Sequence, residues 1–267
     1  MPLFSLFILA VIQGVTEFLP VSSSGHLVLL PKLTGGQDQG LALDVAVHVG
    51  TLFAVIAYFW ADVKLALAGT ARLCLGKVDT PGAFLALCLA ISTVPVVIVG
   101  AILHVTGLNE AMRSIAVIGW TMLLFGIALY WADMTGAKSK TSDGWSLKDA
   151  ALMGLAQALA LIPGTSRSGI TITAARKLGY DREGAAKLAM LMSIPTILAS
   201  GVLLLGDAFA QADLALLRDA SIAAGFAFVS ALAALVLMMR LLKSVSFTPY
   251  VIYRCVLGVI LLVIAYT

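Results

Sequence analysis

Two short polar stretches interrupt long apolar runs of this sequence, and their residue types suit chemistry on a phosphate. The first reads Pro-Val-Ser-Ser-Ser-Gly-His over residues 20–26, and the second reads Pro-Gly-Thr-Ser-Arg-Ser-Gly over residues 163–169. Serine hydroxyls can attack phosphorus, and an arginine binds phosphoryl oxygens through its planar fork. Ser-Arg-Ser-Gly stands in the second stretch where the first has Ser-Ser-Ser-Gly. We therefore interpret them as two halves of one phosphate site.

One carboxylate precedes the first stretch. Gln13 and Glu17 are four residues apart, so they lie on one face of a helix that ends at the break. A carboxylate in an apolar run is costly and by default marks a functional site, the alternative being a Glu satisfied by a neighbouring helix. A divalent cation, Mg²⁺ or Ca²⁺, would have to be held largely by Glu17 and by the substrate's phosphates, since the sequence offers no cluster of carboxylates.

The serines and glycines of both stretches suit the start of a helix. One or two of the three consecutive serines can be explained as helix caps, but three exceed one cap. A helix that begins near Gly25 directs backbone N–H groups and a partial positive charge at the turn, and a helix that begins near Ser168 does the same. We predict phosphate-binding roles for Gln13, Ser22, Ser24, Gly25, Thr165, Ser166, Ser168, Gly169 and Thr171.

Arg167 and His26 are the other reactive side chains of the two stretches. A guanidinium within an apolar segment is tolerated only when it is paired, and its fork matches phosphate oxygens. The alternative for Arg167 is an ion pair with Glu17, which could open to admit a substrate. His26 follows the serines directly, so we expect it to contact a phosphoryl oxygen rather than to serve only in packing.

Composition defines the class of protein that must position these residues. Of 267 residues, 61% are hydrophobic and 12% are charged, and the mean hydropathy is +1.04. Soluble domains carry about 25% charged residues. The net charge of +3 is small and scattered, which argues against nucleic acid as a partner. Several apolar runs reach the roughly 20 residues that a helix needs to cross a bilayer, so the sequence predicts an all-α polytopic membrane protein.

The apolar runs predict six transmembrane helices and two re-entrant hairpins made of broken helices. Each half has one hairpin and three crossings, and three is odd, so the second hairpin enters from the opposite face in an inverted-topology repeat. We predict one membrane domain over residues 1–267, with repeats at about 1–131 and 147–267 and a linker at about 132–146. The predicted crossings are about 41–60, 82–104, 112–131, 185–207, 218–240 and 250–267, and the hairpins are about 3–33 and 147–179.

The basic residues of the loops predict the orientation. The span count places twelve of them on one face and three on the other, and the face rich in Lys and Arg is expected to be cytoplasmic. Both termini are therefore predicted outside the cytoplasm. Tyr250, Tyr253 and Arg254 are expected in an interfacial belt, and Asp44 with His48 is expected to form a structural link within one helix.

Residues 13–26, Gln-Gly-Val-Thr-Glu-Phe-Leu-Pro-Val-Ser-Ser-Ser-Gly-His, closely resemble the first signature of the undecaprenyl-diphosphate phosphatases, also called bacitracin resistance proteins. Residues 163–171 are similar to the second signature, and the resemblance extends to the Ile-Tyr-Arg stretch at 252–254. It implies a multi-pass protein of the bacterial inner membrane that hydrolyses a polyprenyl diphosphate. Such an activity recycles the lipid carrier of peptidoglycan synthesis and can confer bacitracin resistance.

The resemblance implies that Glu17, Ser23, His26 and Arg167 are the catalytic residues. Many members have Glu at the position of Gln13, and an amide cannot act as a base, so acid–base duty concentrates on Glu17. Our hypothesis is that Ser23 attacks the terminal phosphoryl group; His26 or a water activated by Glu17 are the alternative nucleophiles. The other function that this fold suits is a transporter or flippase of polyprenyl phosphates. The sequence leaves open whether the protein forms a homodimer in the lipid bilayer.

Overall fold

The chain folds into helices joined by short loops. The structure is a computed structural model that describes residues 2–34, 40–108, 112–209 and 213–267. Within these ranges eleven α-helices follow one another, with two 3₁₀ turns at Ser142–Gly144 and Leu159–Leu161. In chain order the helices are α1 (Leu3–Phe18), α2 (Ser23–Thr34), α3 (Leu41–Tyr58), α4 (Trp60–Cys74), α5 (Pro81–Thr106), α6 (Ile115–Thr135), α7 (Leu147–Ala158), α8 (Arg167–Lys177), α9 (Arg182–Phe209), α10 (Leu214–Leu241) and α11 (Thr248–Tyr266).

Six of these helices are long and apolar enough to cross a membrane: α3, α5, α6, α9, α10 and α11. We call them the spanning helices. The described part of the chain contains no β-strand beyond an isolated bridge between Lys140 and Tyr180. The predicted class, an all-α polytopic membrane protein, is confirmed. The observed ends differ from the predicted ones by a few residues, because caps set the helix starts: Ser114 starts a helix inside the predicted run, and Asp213 starts one before it.

Helix α4 is an element that the sequence analysis treated as part of a loop. It follows α3 directly and carries Asp62, Lys64 and Arg72, which made it too polar to be taken as a span. It packs along α5 through two small residues. A Cβ atom added to Gly69 would lie 2.0 Å from the carbonyl of Gly82, so the two backbones touch. Close approach through small residues is the usual way in which helices associate in a membrane.

Both predicted hairpins are broken helices. The first breaks between α1 and α2 at residues 19–22, and the second between α7 and α8 at residues 159–166. Helices α7 and α8 have 12 and 11 residues. Each is therefore about 18 Å long or less, shorter than the roughly 30 Å of a hydrocarbon core. Neither can span alone, and the re-entrant path through the membrane stays a prediction.

A buried polar cluster joins several helix ends at one end of the bundle. The Asp133 carboxylate, at the end of α6, accepts hydrogen bonds from Arg176 Nε at 3.0 Å and Arg182 Nε at 2.9 Å. The Tyr180 hydroxyl, just after α8, donates to Asp149 Oδ2 at 2.7 Å near the start of α7. Burial opposes the charged form of Asp149, but hydrogen bonds from Lys140, Tyr180 and Ser146 outweigh it and hold the pKa of this carboxyl below its ordinary value. The second broken segment thus begins and ends at the same end of the bundle.

The two broken segments pack against spanning helices of opposite halves. Helix α1 lies along α10, where the Ser230 hydroxyl donates to the Ala10 carbonyl at 3.2 Å. Helix α7 lies along α5, where Gln157 Nε2 donates to the Ser92 carbonyl at 3.2 Å. Since α10 and α5 are each the second spanning helix of their half, the packing is reciprocal. An exchanged, duplicated hairpin would pack in this way, and the repeat boundaries themselves stay a prediction.

Candidate active site

The Glu17 carboxylate is the centre of the candidate site. It projects from the last turn of α1 and is 7% exposed. Its Oε2 atom accepts hydrogen bonds from Gln13 Nε2 at 2.8 Å and from the Ser23 hydroxyl at 2.7 Å. Gln13 lies one turn earlier on the same helix face, as their spacing predicts. Ser23 is the first residue of α2, after the break. The change of chain direction at the break places its hydroxyl next to the carboxylate.

Arg167 reaches the same carboxylate from the second broken segment. It is the first residue of α8, and its guanidinium donates to Glu17 Oε1 and, at 3.1 Å, to the Ser193 carbonyl of α9. The ion pair that the sequence analysis named as the alternative for Arg167 is therefore present. Removing one partner of such a buried pair costs about 3–5 kcal/mol, because the other charge stays uncompensated. The ion pair between Glu17 and Arg167, two of the predicted catalytic residues, therefore links the two broken segments.

The two turns share one backbone conformation. Ser22 and Ser166 are the non-glycine residues with positive φ among the described residues, at 72° and 70°. Each caps the helix that follows: Gly25 N donates to Ser22 Oγ at 3.4 Å, and Gly169 N donates to Ser166 Oγ at 3.1 Å. The other N–H groups of the first turns of α2 and α8 are the ones that the sequence suggested as anion seats, and that role stays a prediction.

The turns also contact each other directly. The Ser168 hydroxyl donates to the Leu19 carbonyl at 3.1 Å. Ser22 and Ser24 lie with their hydroxyl oxygens 3.4 Å apart, and Ser166 and Ser168 with theirs 3.2 Å apart. The Thr171 hydroxyl donates within α8 to the Arg167 carbonyl at 2.8 Å, so this predicted phosphate ligand is engaged by its own helix.

Arg254 ties the two turns together, which corrects the expectation that it lies in an interfacial belt. Its guanidinium is 0% exposed and donates to the carbonyls of Pro20 at 3.3 Å, Gly164 at 3.1 Å and Thr165 at 2.9 Å. It therefore satisfies carbonyls of both turns at once. Buried carbonyl groups without partners are costly, so this single side chain stabilises the irregular backbone of the site.

Tyr253 contacts His26 in the candidate site, and its place in an interfacial belt stays a prediction. Its hydroxyl donates to His26 Nε2 at 2.6 Å, and His26 Nδ1 donates to the Ser22 carbonyl at 2.7 Å. Both ring nitrogens of His26 are thus occupied. The sequence analysis missed this role because Tyr253 and His26 are separated by 227 residues, and only the docking of α11 against the first turn brings them together.

His48 is a further neighbour of Glu17 that the sequence analysis assigned to a structural link. Its Nδ1 donates to the Asp44 carbonyl at 2.7 Å, one turn earlier in α3. Its Nε2 lies 3.7 Å from Glu17 Oε2. His48 therefore bonds to the backbone carbonyl of Asp44. This hydrogen bond orients the ring so that Nε2 faces the Glu17 carboxylate. One feature of the sequence could have indicated that His48 lies at the site. It is a histidine within an apolar span, and such a residue by default marks a functional position.

Two buried polar atoms of the site have no hydrogen-bond partner among the described residues: Gln13 Oε1 and the Thr165 hydroxyl. Both residues are fully buried. Buried polar atoms are normally satisfied, and an exception calls for an explanation such as an ion or a ligand. Gln13 Oε1 belongs to the amide that donates to Glu17, so a hard oxygen donor lies beside the carboxylate.

The fold and the site define a polytopic helical membrane protein in which two broken helices bring a carboxylate, a serine and a guanidinium into one hydrogen-bonded group. Residues 6–260 match the family described as bacitracin resistance protein BacA, and the chain belongs to that family. It is 71% identical over 267 residues to the undecaprenyl-diphosphatase of Roseobacter denitrificans and 69% identical over 267 residues to that of Dinoroseobacter shibae. In both cases the match covers 100% of each chain.

Proposed function

We propose that this protein is a membrane phosphatase that hydrolyses undecaprenyl diphosphate to undecaprenyl phosphate and inorganic phosphate. Relatives that match over the whole chain are named for that activity. The observation that carries the proposal is the Glu17 carboxylate, which accepts from the Ser23 hydroxyl on one oxygen and from Arg167 on the other. Phosphoryl transfer needs a base beside the attacking hydroxyl, and positive charge and N–H donors beside the phosphate. Glu17 is beside the Ser23 hydroxyl and Arg167, close to the N-termini of α2 and α8.

In the first step Ser23 Oγ attacks the terminal phosphorus and its proton passes to Glu17 Oε2. The bond between that phosphorus and the bridging oxygen breaks, and Glu17 returns the proton to the leaving phosphate with assistance from His26. A protonated Glu17 holds Arg167 less tightly, because the ion pair loses one charge, and the guanidinium is then available to the phosphoryl oxygens. In the second step Glu17 takes a proton from a water molecule that attacks the phosphoserine, and Ser23 Oγ regains a proton.

The geometry around His26 supports Ser23 as the nucleophile over His26. The Nδ1 atom of His26 donates to the Ser22 carbonyl, and its Nε2 atom accepts from Tyr253. Neither nitrogen is free to attack phosphorus until one of these bonds opens. The Ser23 hydroxyl, by contrast, already donates to a base at 2.7 Å. An apt test is to trap the intermediate with a substrate labelled in its terminal phosphate, where we expect label on Ser23 and none in a Ser23→Ala variant.

We also propose a divalent cation, Mg²⁺ or Ca²⁺, held by Glu17, by Gln13 Oε1 and by the substrate's phosphates. No group of three or more His, Cys, Asp and Glu side chains that could hold a metal is found in residues 2–34, 40–108, 112–209 and 213–267. The carboxylate oxygen and the unpartnered amide oxygen are nevertheless the hard ligands that these ions prefer. A bound cation would neutralise phosphate charge. Its removal by a chelator is expected to stop phosphate release, and added Mg²⁺ or Ca²⁺ to restore it.

The proposed location is the bacterial inner membrane, with the site recycling the lipid carrier of peptidoglycan synthesis and conferring bacitracin resistance. The polar cluster at Asp133 and the ion pair between Lys187 and Asp62, at 2.7 Å, support grouping the basic loops at one end of the bundle. We propose that this end is cytoplasmic and that both termini are outside. A reporter after Thr267 should then be outside and a tag within 138–148 inside.

The homodimer stays a prediction, which light scattering of the purified protein tests.

Phosphate release from a purified polyprenyl diphosphate by the protein in detergent tests the proposed function. Activity that is lost in Ser23→Ala, with an unchanged melting temperature, supports the phosphatase. If the wild-type protein releases no phosphate but moves a polyprenyl phosphate across vesicles, the flippase is the correct function.

A further inference from the structure

A groove with a volume of about 440 Å³ lies between α3 and α9. Its walls are apolar side chains of both helices, interrupted by a few polar groups. The residues on which the argument depends are Val45, His48 and Leu52 of α3 and Leu198, Gly201 and Val202 of α9. We call this cavity the α3–α9 groove.

The inner end of the α3–α9 groove reaches the candidate active site. His48 forms part of its wall, and His48 Nε2 lies 3.7 Å from Glu17 Oε2. A molecule that fills the groove is therefore one side chain away from the carboxylate that is bonded to Ser23 and Arg167. The groove and the site therefore adjoin at the His48 side chain.

The other end of the groove opens on the outer surface of a spanning helix. Leu198 is 48% exposed and Val202 is 78% exposed, both on α9. Large apolar side chains exposed on a membrane-spanning helix face lipid chains, since the hydrocarbon is as apolar as they are. An apolar chain can therefore pass from the bilayer into the groove without crossing water.

Gly201 gives the groove part of its width. Glycines of membrane helices usually serve close helix packing, and Gly50 of α3 does so: a Cβ atom there would meet the Ala224 carbonyl at 2.2 Å. A Cβ atom on Gly201 would meet nothing within 4 Å. The absence of a side chain at this position leaves open space in the groove instead of admitting a neighbouring helix.

We propose that the α3–α9 groove holds the isoprenoid chain of the substrate next to its diphosphate, so that it determines the preference for long polyprenyl chains. The proposal rests on the proposed phosphatase function. The proximity of the groove to Glu17, from which only His48 separates it, favours this occupant over an acyl chain of a bulk phospholipid, which carries no diphosphate for the site. Binding of a lipid diphosphate requires apolar walls, an opening toward lipid and an end that lies near the reacting groups. The groove has apolar walls, exposed apolar residues at one side and His48, next to Glu17, at another.

A second groove provides a matched control. It has a volume of about 310 Å³, lies between α5 and α9, and includes Gly100 and Leu161 in its walls. A Cβ atom on Gly100 would lie 3.7 Å from Leu161, an ordinary contact, so this position also accepts a side chain. Its lining lacks His48, the residue that brings the α3–α9 groove next to Glu17, although Ser200 and Leu204 line both grooves. Filling this groove should leave the path to the active site open.

The experiment compares Gly201→Phe and Gly100→Phe on two substrates, a C55 polyprenyl diphosphate and a C5 prenyl diphosphate. Gly201→Phe should raise KM for the C55 substrate about tenfold or more and leave kcat/KM for the C5 substrate within about twofold, because only the long chain needs the groove. Gly100→Phe should change neither. Gly201→Ala should fall between the wild type and Gly201→Phe on the C55 substrate, and the melting temperatures of all three show whether they fold.

The outcomes separate this proposal from the proposed function. Hydrolysis of either diphosphate by the wild-type protein supports the phosphatase, whatever the variants do. An unchanged ratio of kcat/KM for C55 over C5 in folded Gly201→Phe and Gly201→Ala overturns the groove proposal, as does a larger loss in Gly100→Phe. An acyl chain of a phospholipid as the occupant would give the same unchanged ratio and so also overturns it.

A labelling experiment tests occupancy without relying on turnover. In a Cys74→Ser background, which removes the exposed thiol, Gly201→Cys should react with a maleimide in detergent. A non-hydrolysable C55 bisphosphonate should slow this reaction at least about fivefold, and inorganic diphosphate should not, because only the former has a chain to enter the groove. Equal rates with and without the C55 compound overturn the proposal.

Discussion

The two polar turns of this protein have the same backbone but different chemistry. Ser22 and Ser166 have φ of 72° and 70°, each caps the following helix, and each lies beside a second serine hydroxyl. At the next position the first turn has Ser23 and the second has Arg167, and both side chains donate to Glu17. One backbone conformation therefore presents a hydroxyl in the first turn and a guanidinium in the second to the same carboxylate.

The difference continues into the helices that precede the turns. Glu17 lies five residues before Ser22, and Leu161 lies five residues before Ser166. Gln13 and Gln157 lie nine residues before the same serines. Gln13 donates to the carboxylate and has an unpartnered oxygen, whereas Gln157 donates to Ser92 and accepts from Thr196 at 3.4 Å. Corresponding positions before the two turns thus have different partners: Gln13 contacts the carboxylate of the candidate site, and Gln157 joins neighbouring helices.

The greatest loss of activity is expected at Glu17, whose position in the second segment is occupied by Leu161. Glu17→Gln should lower kcat about a thousandfold, because an amide cannot accept the Ser23 proton and no longer pairs with Arg167. Leu161→Met, at the corresponding position of the second segment, should keep activity within about twofold, since it conserves volume in an apolar site. Phosphate release from a polyprenyl diphosphate measures both. More than a tenth of wild-type activity in Glu17→Gln would show that another group is the base.

Arg167→Lys is expected to lower kcat about a hundredfold although the charge is kept. A lysine ammonium cannot present the planar fork that holds both Glu17 and a phosphoryl group. Arg182→Lys is the matched control, because Arg182 pairs with Asp133 at 2.9 Å in the polar cluster away from the turns. It should retain activity. Equal losses in the two variants would mean that Arg167 contributes charge and packing rather than phosphoryl binding.

The two glutamines should separate activity from stability. Gln13→Ala is expected to lower kcat about tenfold, since Glu17 loses a donor that orients it. It should destabilise the fold less than Gln157→Ala, because it also removes the unpartnered Oε1 atom. Gln157→Ala is expected to destabilise the fold by about 1–3 kcal/mol, because the buried Ser92 carbonyl loses its side-chain partner, and to leave kcat unchanged. Turnover and thermal unfolding in detergent are measured for both. Activity loss in Gln157→Ala with normal stability would contradict the division of roles.

The smallest effects are expected at Ser22 and Ser166, where the turns are alike. Replacement by glycine relieves the left-handed conformation, worth about 1 kcal/mol, and loses only a weak cap, so stability should change little. Replacement by alanine keeps the strain and loses the cap, at a cost of about 1 kcal/mol. Alanine variants should therefore melt below glycine variants at both positions. A different order at one position would show that the turns are less similar than their dihedral angles indicate.

Composition and pattern were enough to predict the class of the fold. Apolar runs near the length of a membrane crossing predicted the six spanning helices, because the hydrocarbon core demands that length from any helix that crosses it. The residues that interrupt these runs, Glu17 and Arg167, stood out because charges in apolar segments are rare and costly. The structure places both in one ion pair. Helix α4 could not be predicted in this way, because its charged residues interrupt the apolar pattern. Its packing on α5 stabilises it as a helix.

Local composition and short spacings were sufficient to predict the membrane class, the two breaks and the polar residues at their tips. The contacts of His48, Tyr253 and Arg254 with the candidate site could be found only from the packing of the helices. His48 reaches Glu17 only because α3 packs beside α1, and Arg254 reaches both turns only because α11 lies against α6. Glu17 and His48 are 31 positions apart and Pro20 and Arg254 are 234 apart. Contacts over such separations leave no mark in local pattern, because they depend on how helices pack.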